Sequence, residues 1–165
     1  MSDIAHPICF FDKGKMITLL KFDEIKEMGF RLSLNINQKE VERIIFNTER
    51  KFVKKNISNY KNLTTKEDET LEDVLPILKA GIGNLVFGFL LNENVVASRF
   101  GAVKKQSDFS TQALKNEVRN ESAKFFEVGC ELLRDAFLEL KEIDPSIEVF
   151  NFPYYNYLRG FYHKK

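Results

Sequence analysis

The sequence predicts a mainly α protein: a helical bundle with an inserted β-prone arm, an N-terminal hairpin or arm, and an extended aromatic C-terminal tail. Three observations predict this class. Val41 to Val53 and Leu114 to Leu140 repeat apolar residues at helical spacing. Leu71 to Leu91 lies between them and is apolar on nearly every side from Leu85 onward, which marks a central helix. The stretch 94–111, NVVASRFGAVKKQSDFST, breaks the helical pattern with Val95, Val96 and Phe100 followed by Gly101 and a basic, polar run.

The chain has 165 residues, which fits one domain with arms, and a compact chain of that size buries roughly 70% of its unfolded surface. The organisation read from the pattern is 1–36 as N-terminal hairpin or arm, 37–142 as helical core carrying the arm 94–111, and 143–165 as aromatic tail. A formal charge of +1 gives no global bias toward nucleic acid or anionic membrane. Cys9 and Cys130 are far apart with no secretory signal before them, so both thiols are expected to stay reduced. Pro76 to Leu91 is short for a bilayer and contains Lys79 and Asn84. These features read as a soluble intracellular protein without a membrane partner.

Ile8–Phe11 and Met16–Leu20 flank Asp12-Lys13-Gly14-Lys15, which reads either as a hairpin or as an arm that pairs on meeting a partner. Phe22 to Met28 is a short helix stopped by Gly29. Asn37 caps the first long helix, and Glu40 three residues later fits a capping box. Val41, Ile44, Ile45, Thr48, Phe52 and Val53 form its buried face. Glu42, Arg43, Glu49, Arg50, Lys51, Lys54 and Lys55 form the solvated one. The cations at its end suit the negative end of the helix dipole, and a phosphate-facing role is the competing reading.

Ile57 to Leu63 reads as a loop, and Thr64 or Thr65 as the cap of the next helix. Pro76 should kink or break that helix near Glu72. Gly81, Gly83 and Gly88 weaken an isolated helix and are expected where another helix comes close. Ser110 or Thr111 starts the longest helix, about thirty residues or roughly 45 Å, which ends at Ile143-Asp144-Pro145. The last stretch holds Phe150, Phe152, Tyr154, Tyr155, Tyr157, Phe161 and Tyr162. So many aromatics left exposed invite aggregation, so the tail must dock, on its own core or on a neighbouring subunit.

Catalysis is not expected. His6 and His163 lie near the two ends without a metal or triad pattern, and CxxC, HExxH and GxSxG are absent. The GIG at Gly81–Gly83 sits inside a helical pattern with no GK[ST] after it, so it is no phosphate loop. No cofactor or metal is implied.

The order of elements carries a resemblance. VERIIFNTERKFVKKNI is followed by ILKAGIGNLVFGFLL, then by the basic arm VVASRFGAVKKQSDFSTQA, then by VRNESAKFFEVGCELLRDAFLEL. This resembles the head-completion, head-to-tail connector or neck-ring proteins of tailed bacteriophages, most of all those of crAss-like phages, over roughly Gln38 to Leu140. The resemblance implies a non-enzymatic virion protein at the head–tail junction, made in the host cytoplasm. Its copies, roughly a dozen, close a ring through head-to-tail interfaces. Such a ring sits beneath the portal protein, extends the DNA channel and offers a platform to other neck or tail proteins. On that reading the subunit interface comprises Val95, Val96, Phe100, Lys104, Lys105 and Phe109 from the arm, with Phe150, Phe152, Tyr154, Tyr155, Tyr157 and Arg159 from the tail. Lys51, Lys54, Lys55, Lys104 and Lys105 face genomic DNA, which they contact without sequence preference. The alternative from another class is a small helical protein-binding module or inhibitor that acts as a monomer.

Overall fold

Helix α1 (Phe22–Glu27) opens where the Lys21 backbone N–H donates to Glu24 Oε2 at 2.8 Å, and it stops before Gly29, whose φ of +78° suits glycine. The computed structural model describes residues 17–30, 32, 36–65, 71–92 and 108–155, and within them the chain is mainly α. Helix α2 (Gln38–Glu49) begins as the sequence predicts, with Asn37 Oδ1 accepting from the Lys39 N–H at 3.0 Å. The second half of the expected capping box is replaced by an ion pair, Glu40 with Arg43 one turn on at 3.1 Å. A π-helical turn, Arg50–Lys54, continues α2. Its wider turn moves the register by part of a residue, so Phe52, expected in the core, is half-buried while Val53 is fully buried.

Helix α3 (Tyr60–Thr65) takes up the second half of the expected loop Ile57 to Leu63, and Thr64 and Thr65, expected to cap the following helix, are its last two residues. Buried Leu63 gives this short helix an anchor, and Asn59, at φ +56°, makes the turn into it. Helix α4 (Val74–Asn92) starts late enough that Pro76 falls in its first turn, where a missing N–H costs nothing. The predicted break near Glu72 is therefore the helix start, not a kink. Helix α5 (Asp108–Ile143) runs 36 residues, about 54 Å. It begins at Asp108, so residues 108–111 belong to the helix rather than to the arm; a carboxylate there suits the positive end of the dipole.

The core is the antiparallel pair α4 and α5, with α2 laid against α4. Leu78, Ile82, Leu85, Val86 and Leu90 of α4 meet Phe126, Cys130, Leu133, Phe137 and Leu140 of α5, all buried. The two helices cross where glycine faces glycine. A Cβ on Gly81 would stand 3.2 Å from the Gly129 carbonyl oxygen and 2.9 Å from Leu133. A Cβ on Gly129 would stand 3.0 Å from the Gly81 carbonyl oxygen and 2.8 Å from Leu85. Close approach at Gly81 and Gly88 was expected from the sequence, whereas Gly83 faces α1, with Met28 rather than a second helix of the pair against it. Phe30, Phe87 and Phe125 form a ring cluster, with centroids 4.6 to 6.0 Å apart, that closes the other flank.

Residues Val74–Leu91 are long and apolar enough, by length and composition, to cross a bilayer. The apolar span is longer than the stretch Pro76 to Leu91 expected from the sequence. Here α4 is the central helix of the bundle, and its one charge, Lys79, pairs with Glu24 of α1 at 2.6 Å. Burial pushes the Cys130 thiol up to about 11, so it is a packed, inert side chain.

Glu49 overturns its expected place on the solvated face of α2, for it is 1% exposed. Its Oε2 accepts from Leu19 N–H at 3.0 Å and its Oε1 from Leu20 N–H at 2.8 Å. The Tyr60 hydroxyl of α3 donates to Oε2 as well. One carboxylate thus ties the entering chain, α2 and α3 together. Burial raises its pKa above the ordinary carboxylate value against the opposing pull of these three donors. The Tyr60 hydroxyl is raised too, by burial and by Glu49 beside it. Of the N-terminal hairpin, only residues 17–20 are described, and they form no strand; the rest lies outside the described residues.

Candidate interaction surface

Beyond α5 the chain turns at Asp144-Pro145, where Asp144 Oδ1 accepts from Ser146 N–H at 3.0 Å, and then runs extended. Val149 pairs with Ile57 in an antiparallel bridge. Ser58 N–H donates to Glu148 O at 2.8 Å, Phe150 N–H to Asn56 O at 2.7 Å, and Glu148 N–H to Ser58 Oγ at 2.8 Å. This pins the tail to the link between α2 and α3. Extended chain alternates its side chains, and the tail uses both faces. Ile147 and Pro153 are buried, Val149 is half-buried, and the half-buried Tyr155 packs on Phe126 at 5.0 Å between centroids. Phe150, Phe152 and Tyr154 point away and are 57%, 45% and 72% exposed.

The candidate interface residues therefore divide. Phe150, Phe152 and Tyr154 form an outward aromatic row, whereas Tyr155 belongs to this chain's own packing. Phe109 lies in the first turn of α5, and its side chain is outside the described residues, as are Val95, Val96, Phe100, Lys104, Lys105, Tyr157 and Arg159. Lys51, Lys54 and Lys55 are exposed and make no ion pair among the described residues. Because the Asn56 carbonyl accepts from the Phe150 N–H, the aromatic row begins at the residue that follows Lys55 in the chain; sequence spacing gave no sign of that junction.

Sequence reasoning also missed a groove of about 210 Å³ between α2 and α4. Phe52 and Phe89 line it, 6.3 Å apart between centroids, with Arg43, Asn47 and Lys51 along its rim. Lys51 Nζ lies 5.1 Å from the centre of the Phe52 ring. Arg43, Asn47 and Lys51 recur every fourth residue, a signal that was in the sequence; the partner ring on α4 was not. Among the described residues no group of three or more His, Cys, Asp or Glu side chains stands ready for a metal.

No family model, curated protein or solved structure matches this chain.

Proposed function

We infer that this chain is a structural, non-catalytic subunit whose copies associate through the outward aromatic row, and that the assembly is a connector ring at the neck of a tailed phage. The observation that supports self-association is the row Phe150, Phe152 and Tyr154, held in the open by a segment whose opposite face is fixed to the core. Covering a large aromatic contributes about 1.5–3 kcal/mol. Aromatic rows on rigid supports are the usual anchors of an interface. The ring and its place at the neck come from the resemblance to phage connectors over roughly Gln38 to Leu140. In the ring, the arm 94–107 of one copy meets its neighbour, and Lys51, Lys54 and Lys55 turn toward the DNA channel below the portal protein.

Native mass spectrometry over a concentration series tests this, with Phe150→Ser/Phe152→Ser/Tyr154→Ser beside the wild type. The expected result is a closed ring for the wild type and a monomer for the variant, with the same helix content by circular dichroism. A wild-type monomer at every concentration overturns self-driven association and leaves either a ring templated by the portal protein or the monomeric binding module.

A further inference from the structure

We propose that the groove between α2 and α4 binds single-stranded nucleic acid, with one base against Phe52 and Phe89 and the flanking phosphates on Arg43 and Lys51. The inference does not rest on the ring reading, because every group belongs to one copy. Single strands are held by aromatic faces that stack bases beside cations that follow the backbone. Both elements meet here: two half-buried rings line the groove, and two exposed cations stand at its rim. Arg43 on α2 and Lys51 on its π-helical continuation are eight positions apart, roughly 12 Å along the axis. Charge at both ends of an aromatic floor suits a base with a phosphate on each side, as in a strand. A mononucleotide has phosphate on one side only. A duplex keeps its bases stacked inside and presents no free face.

Two of the contacts that the rim makes now are weak ones. Lys51 rests over Phe52, where the base would lie, and an exposed cation–π contact of this kind is readily exchanged for a phosphate. Arg43 pairs with Glu40 in a solvent-exposed bridge at 3.1 Å, and such bridges contribute little. Asn47 between them has an amide able both to donate to and to accept from a base edge. Arg50, Lys54 and Lys55, all exposed, continue the positive charge past the groove. That charge disfavours the chain's own last residues, 156–165, as occupant, for they carry Arg159, Lys164 and Lys165.

The test is fluorescence anisotropy of a short labelled oligothymidylate with the full chain at low salt, competed by thymidine monophosphate and by duplex of mixed sequence. Oligothymidylate should bind and be displaced only weakly by either competitor. Lys51→Glu should weaken binding roughly tenfold or more and make the salt slope shallower by about 0.7. Phe89→Leu, which keeps an apolar floor without a ring, should weaken binding while leaving the salt slope unchanged. Lys26→Glu, an equal charge change on α1, should leave affinity near wild type. Absence of binding, as when residues 156–165 fill the groove, overturns the proposal. So does displacement by duplex or by the monophosphate as effective as by the oligomer itself, or equal losses from Lys26→Glu and Lys51→Glu.

Discussion

Two joints hold this chain together, and they work by opposite means. At the α4–α5 crossing, Gly81 and Gly129 let two backbones meet and Leu85 and Leu133 fill the space beside them. At the other joint, the Glu49 carboxylate gathers Leu19, Leu20 and Tyr60 through three hydrogen bonds inside the core. The first is a fit of shapes, indifferent to pH, in which each lost contact costs its own share. The second is a hub, whose loss strands several donors at once.

Removing the hub has the largest expected effect. Glu49→Ala leaves two backbone N–H groups and a hydroxyl without their acceptor, at about 1–3 kcal/mol for each that stays buried. A loss of about 3–5 kcal/mol by urea denaturation is expected, with faster amide exchange at Leu19 and Leu20. Unchanged exchange there would show that the carboxylate does not hold the entering segment. Gly129→Val tests the other joint. Its side chain meets the Gly81 carbonyl and the Leu85 branch point, neither of which gives way easily, and should cost about 2–3 kcal/mol.

The pH response separates the joints. Because the folded pKa of Glu49 is raised, the folded state holds the extra proton. The stability this contributes is fully present below the ordinary carboxylate value and is lost as pH rises through the folded one. The advantage of wild type over Glu49→Gln should therefore shrink with rising pH across that window, while Gly129→Val stays at a constant distance from wild type. An advantage that grows with pH would mean that the three donors outweigh burial. The smallest effect belongs to Gly83→Ala. The new methyl meets the flexible end of Met28, and the helix gains about the alanine preference, so stability should move by less than about 1 kcal/mol in thermal melts.

The shape-based joint could be read from the sequence and the hub could not. Leu78, Ile82, Leu85 and Leu90 announce a central helix by composition alone, and Gly81 and Gly88 announce a neighbour. Glu49 stands at positions i+4 and i+8 from Ile45 and Val41, so spacing does place it beside the buried face. Its charge argued for solvent, and its donors come from Leu19 and Leu20, thirty positions earlier, and from Tyr60 in a segment read as loop. A long-range hydrogen bond has no periodicity to betray it. The aromatic tail was legible as something that must dock, since its composition demands cover. Which residues turn inward was not, because the Ile57–Val149 bridge sets the phase and lies far away in sequence. The groove escaped for a similar reason: Phe52 leaves the core through a π-helical turn that no residue type signals.

The alternation of the tail makes its history countable. Between the bridge at Val149 and the buried Pro153, losing or gaining one residue would turn Phe152 and Tyr154 inward and lift Pro153 and Tyr155 out. Gaining or losing two would leave both faces as they are. Length changes in this segment are thus sorted by parity: descendants of this chain should carry even-numbered indels there and almost no odd ones.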